Sequence, residues 1–62
     1  MRLKRLTPDD KRFLKRVRRM IAQGYRWREI AEAEQCPLST AQGHYTRLER
    51  LELLWAQKAV AA

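Results

Sequence analysis

One cysteine, Cys36, and one histidine, His44, are the whole supply of soft metal ligands and neutral-pH proton carriers in this chain of 62 residues. Two such groups cannot furnish the ligand set of a zinc site, and a single cysteine cannot form a disulfide within the chain. His44 has no nucleophile or orienting acid at matched spacing, so general acid–base catalysis is not expected of it. Cys36 has no basic or sulfur-bearing neighbour in sequence to lower its thiol pKa, and it reads as a small apolar residue at a turn. The expectation is therefore no catalytic residue, no metal and no cofactor. The chemistry left is recognition by amides, hydroxyls and guanidinium groups.

Those groups are distributed unevenly. Fourteen Lys and Arg against seven Asp and Glu give a net charge of +7. Residues 1–28 hold eleven of the basic side chains against Asp9 and Asp10 only, whereas residues 29–62 hold Arg47, Arg50 and Lys58 against five glutamates. A positive field at one end suits a polyanion, and in so small a chain nucleic acid is the partner it implies. A solubilising excess of charge is the plainer alternative. No apolar run approaches the ~20 residues of a membrane helix. The opening MRLKRLTPDD has charge without an apolar core, so no secretory signal is read there. The expected location is cytoplasmic.

The elements that position these groups are helices. No apolar run alternates with period two, and nothing reads as a linker, a repeat or a low-complexity stretch. Residues 1–7 form a basic arm. Thr7-Pro8-Asp9-Asp10 starts helix 1: Thr7 can cap, Pro8 suits the first helical position, and the two acids meet the positive end of the dipole. Phe13, Leu14, Val17, Met20 and Ile21 then recur as one buried face of a helix over 8–23. Gly24 is placed to close it in a left-handed conformation. A short second helix over 27–35 turns Trp27, Ile30, Ala31 and the stem of Glu34 inward, and Pro37 forbids it to continue. The recognition helix and its extension cover 39–57, with Ser39 or Thr40 available to its free N–H groups. Ala41, Tyr45, Leu48 and either Leu51 or Glu52 face inward. Periodicity leaves open whether this helix runs on or breaks near Leu53. A chain this short buries only roughly 60% of its unfolded surface, so a partner subunit is the support to expect.

The spacing of these elements is that of a helix-turn-helix. WREIAEAEQCPLSTAQGHYTRLERLELL resembles region 4 of bacterial sigma factors, which reads much like EIAEILGCPLSTVKSRL. It is also similar to the winged helix-turn-helix repressors, whose STVSRHLRRLEELGLI aligns without gaps onto Ser39 through Leu54. IAQGYRWREIA looks like the lead-in of resolvase- and transposase-type DNA-binding domains. The match covers about half the chain. Two positions depart from the pattern: Glu34 stands where the family usually has Leu, and Gln35 where it has Gly. Glu34 either faces solvent or pairs with an arginine of helix 1, and the family's glycine supplies a positive φ that Gln35 adopts only with strain. The glycine that precedes the wing is Glu52 here, and no room for wing strands remains. The resemblance implies an all-α, three- to four-helix bundle without a wing. The function it implies is sequence-specific binding of double-stranded DNA by a small bacterial or phage transcriptional regulator, associated with the nucleoid.

The same resemblance places base reading on the early turns of the recognition helix. Ser39, Thr40, Gln42, Gly43, His44, Thr46 and Arg47 are the expected base contacts, with Gln42 suited to adenine and Arg47 to guanine or a phosphate. Gly43 either lets the backbone approach the groove or is a tolerated surface glycine. The expected phosphate contacts are Arg2, Lys4 and Arg5 of the arm, Arg12, Lys15, Arg16 and Arg19 of helix 1, and Arg26, Arg28 and Arg50. Leu51, Leu54 and Trp55 are too apolar to stand exposed on a monomer. They either fold back as core or pair in a homodimer, and the dimer is the expectation, since the isolated core is small. An adaptor that binds RNA polymerase or another protein through the same fold is the alternative function.

Overall fold

A computed structural model describes residues 3–61. It is all-helical: α1 covers Pro8–Ala22, α2 Trp27–Ala33 and α3 Leu38–Ala61. No strand occurs among the described residues, and none of their helices is long and apolar enough to cross a membrane.

Each boundary has a local cause. At the start of α1, the Asp10 N–H donates to Thr7 Oγ1 at 3.1 Å and the Thr7 N–H donates to Asp10 Oδ2 at 3.0 Å. This reciprocal box satisfies two backbone donors at the helix end, and Pro8 follows at the first position. At the other end, Gly24 takes φ +90°. The N–H groups of Tyr25 and Gly24 donate to the carbonyls of Met20 and Ile21, each at 3.0 Å, which is a Schellman closure. The same closure ends α2. The Cys36 N–H donates to the Ala31 carbonyl and the Gln35 N–H to the Glu32 carbonyl, both at 3.1 Å. Here Gln35 occupies the left-handed position, at φ 58°.

α3 begins at Leu38. The Pro37 carbonyl accepts the Ala41 N–H at 3.0 Å, and neither the Ser39 nor the Thr40 side chain caps the helix among the described residues. The helix runs unbroken past Leu53 to Ala61. Its 24 residues span roughly 36 Å at 1.5 Å each, which sets the 39 Å long axis of the molecule.

The core is small and comes from all three helices. Phe13, Leu14 and Val17 of α1, Ile30 and Ala31 of α2, and Ala41 and Leu48 of α3 are buried. Leu6, Met20, Trp27 and Tyr45 pack around them, the last two ring against ring at 5.3 Å. Ala31 and Ala41 are nearly inaccessible, and their small size lets α2 and α3 approach closely at the turn. Ile21, expected inside, is 42% exposed, because α1 ends one residue later and no element covers that edge. Cys36 is half-buried and free.

Candidate nucleic-acid interface

The inward stripe of α3 is Ala41, Tyr45, Leu48 and Glu52. At roughly 100° per residue, the opposite side of the helix carries Ser39, Gly43, Thr46, Arg47 and Arg50, with Thr40 and Gln42 along its two borders. All seven are exposed. No side-chain hydrogen bond or ion pair among the described residues engages Ser39, Thr40, Gln42, Thr46, Arg47 or Arg50, so their donors and acceptors face outward unspent. Gly43 has nothing within 4 Å of where a Cβ would lie. It therefore serves no packing contact inside the chain.

His44 does not belong to that strip. Its ring packs against Phe13 with centroids 4.5 Å apart and an interplanar angle of 56°, and the residue is half-buried. It flanks the inward stripe, and α1 offers an aromatic partner there, so it is removed from the outward set of expected base contacts.

The expected phosphate contacts fall into distinct groups. Arg2 lies outside the described residues. Arg26 and Arg28 at the start of α2, and Arg50 on α3, are exposed. Arg26 donates its backbone N–H to Glu29 Oε1 at 2.9 Å, which secures the start of α2 and leaves its guanidinium outward.

Arg16 is committed elsewhere. Its Nε and Nη2 donate to the two carboxylate oxygens of Glu34 at 3.1 and 2.9 Å, and this bond holds the guanidinium above its ordinary pKa. Glu34 thus ties the end of α2 to α1. Arg12 pairs with Asp9 at 3.0 Å across one turn, both largely in water. Lys15 and Arg19 have no acidic partner among the described residues. Arg12, Lys15, Arg16 and Arg19 together line an open depression on α1.

Lys4 and Arg5 of the arm are docked on α3. Trp55 Nε1–H donates to the Lys4 carbonyl at 2.8 Å. The Arg5 guanidinium and the Lys58 ammonium stand 5.9 and 5.1 Å from the Trp55 ring centroid, within the reach of cation–π attraction. Trp55 is consequently half-covered by its own chain, and Leu51 is also half-buried. Of the three residues expected at a dimer interface, only Leu54 is exposed, beside the more exposed Leu53.

Sequence reasoning missed Arg18. Its guanidinium donates to Glu52 at 2.6 and 3.4 Å and is held above its ordinary pKa by Glu52 first and Tyr45 second. The Tyr45 hydroxyl, pushed up by burial and by the bond it donates to Glu49 at 2.8 Å, completes a polar seam between α1 and α3. The available signal was Glu52 itself, an acid at an inward position that requires a cation opposite.

Net charge is distributed unevenly between α1 and the exposed strip of α3. Residues 26–50, which comprise α2, the turn and the exposed polar strip, hold four arginines and four glutamates and are neutral overall. Residues 4–25 hold eight cations against two acids. Among the described residues no cluster of His, Cys, Asp and Glu could hold a metal ion. Comparison with protein-family models, with curated proteins and with solved structures found no match.

Proposed function

We propose that the protein binds double-stranded DNA sequence-specifically through α3, as a small transcriptional regulator of bacterial or phage type acting at the nucleoid. The observation that carries this reading is the exposed strip Ser39, Thr40, Gln42, Gly43, Thr46, Arg47 and Arg50, which opens directly after the short turn. An α-helix fits the major groove, and amide, hydroxyl and guanidinium groups read base edges there. Arg26, Arg28 and Arg50 supply phosphate contacts beside the strip.

The test is binding of labelled duplexes across a salt series. The logarithm of affinity falls linearly with the logarithm of salt concentration, because each phosphate contact releases counterions. Gln42→Ala loses discrimination between sequences, whereas Arg28→Ala weakens every duplex alike. Absence of duplex binding at low salt, or affinity indifferent to salt, defeats the reading.

A second reading rests on Leu53 and Leu54, 59% and 39% exposed on the far half of α3. In this reading the fold is an adaptor for RNA polymerase or another protein, and those leucines meet the partner. The same pair is also where two copies of this chain would join, presenting two α3 helices about 34 Å apart, one turn of DNA. Sedimentation decides the homodimer: a clean monomer at working concentrations removes it.

A further inference from the structure

We propose that the outer face of α1, built on Arg12, Lys15 and Arg19, is a second phosphate-binding surface that takes a different DNA segment from the one α3 reads. The protein then bridges two duplex segments. This rests on the DNA-binding reading above.

The first observation is where unspent positive charge lies. Residues 26–50 hold four arginines against four glutamates, and with Glu34 bound to Arg16 of α1 that surface keeps a single net positive charge. On α1, Arg16 is bound to Glu34 and Arg18 to Glu52. Lys15 and Arg19 have no such partner among the described residues. Arg12 is held only by Asp9, its exposed neighbour one turn away, and an exposed pair of this kind is worth little and exchanges readily for a phosphate. Arg12, Lys15 and Arg19 therefore form a cluster of available positive charge on α1, separate from Arg26, Arg28, Arg47 and Arg50 on the α2–α3 side.

The second observation is direction. Phe13, Leu14 and Val17 define the buried side of α1. Arg16 reaches α2 on one flank and Arg18 reaches α3 on the other. Arg12, Lys15 and Arg19 lie between those flanks on the outer side, turned away from both neighbouring helices. The strip on α3 likewise points away from the shared core. Outer faces of helices packed on one core diverge, so a straight duplex seated on the α3 strip does not meet the α1 face.

The third observation is chemistry. Residues 12, 15 and 19 are one and two turns apart and cover roughly 10 Å of axis at 1.5 Å per residue. Over that length duplex DNA presents about six phosphate charges. Two of the three are arginines, whose planar fork matches phosphate oxygens. No large apolar side chain stands among them to anchor a protein interface, and this favours a nucleic-acid backbone over an acidic protein.

The experiment is a bridging assay with the full chain. One short mixed-sequence duplex is immobilised, a second copy is fluorescently labelled, and protein-dependent retention of label is measured. Single-duplex affinity is measured in parallel. Wild type retains label, whereas Lys15→Ala/Arg19→Ala loses bridging by on the order of tenfold or more while single-duplex affinity falls only a few-fold. Both substitutions are at exposed positions, and an unchanged helical spectrum and unfolding midpoint confirm the fold.

Three outcomes overturn the proposal. If wild type binds one duplex but never bridges, the α1 face is not a second DNA site, and the reading of α3 stands. Bridging that survives Lys15→Ala/Arg19→Ala belongs to a dimer offering two α3 strips. If no duplex binds at all, the DNA-binding reading fails with it, and an acidic protein becomes the partner to seek.

Discussion

The Arg16 guanidinium and the Glu34 carboxylate meet fork to fork, Nε to Oε2 at 3.1 Å and Nη2 to Oε1 at 2.9 Å. They join the middle of α1 to the C-cap of α2, one residue before the left-handed Gln35. The pair therefore ties α1 to the point where the chain turns toward α3. Its two members are unequal, since the Glu34 side chain is 13% exposed and that of Arg16 54%.

That inequality predicts an asymmetric double-mutant cycle. Arg16→Ala strands a largely covered carboxylate, whereas Glu34→Ala leaves a guanidinium that water can solvate. Arg16→Ala is expected to cost more, and the coupling between the sites to be about 0.5–1 kcal/mol after allowance for Arg16's exposure. Urea unfolding of both single variants and the double variant measures it. A coupling of zero, or the opposite order of costs, counts against this account of the turn.

Gln35→Gly is expected to stabilise the protein by about 0.5–1 kcal/mol. The left-handed region penalises a Cβ by roughly 1–2 kcal/mol, and the greater freedom of glycine in the unfolded chain offsets part of the gain. A lowered midpoint of urea unfolding would show that the Gln35 side chain contributes more than its backbone costs.

Gly43→Ala is expected to separate stability from binding. The added methyl meets nothing within 4 Å, so helix propensity raises stability by about 1 kcal/mol. Where the α3 backbone lies against a groove floor, the same methyl weakens duplex affinity. A more stable variant with unchanged affinity means that Gly43 is not at the DNA surface.

Trp55→Phe keeps the aromatic ring and removes the N–H that reaches the Lys4 carbonyl. The expected loss is about 1 kcal/mol, the usual net worth of such a bond, with faster amide exchange in residues 4–6. Unchanged exchange would show that the cations over the ring, and not the hydrogen bond, hold the arm.

The Thr7–Asp10 box gives the acid limit. The hydrogen bond from the Thr7 N–H is the main cause that holds the Asp10 carboxyl below its ordinary 3.8. The unfolded chain therefore takes up this proton at higher pH than the folded one. The stabilisation is complete above 3.8 and is lost as pH falls through the lower folded value. Thermal midpoints of wild type and Asp10→Asn, followed into acid, are expected to converge. Parallel curves would assign the acid sensitivity to other carboxylates.

Most of the helical plan was legible because its causes are local. Thr7, Pro8 and Asp10 mark the start of α1 within four residues. Gly24 closes it, and Pro37 separates α2 from α3. The core stripe follows from spacing, with Ile21 as the exception: its position on the helix is apolar, and only the absence of a covering element exposes it. The left-handed conformation at Gln35 was visible only through the resemblance, which places glycine at that position.

The fate of the charged and amphipathic side chains was not legible. Arg16, Arg18 and Lys15 read alike along α1, and their partners lie 18 and 34 positions away for the two arginines. His44 sits at the border of the inward stripe, where the ring of Phe13 decides its direction. Trp55 reads as surplus apolar area suited to a dimer until the arm is found covering it. The sequence by itself determined the three helices, the start and close of α1 and most of the buried faces, because backbone hydrogen bonding and periodicity act over a few residues. Only the tertiary structure decided which cations remain unspent and which way they point, because ion pairing and ring packing join residues that the chain keeps far apart.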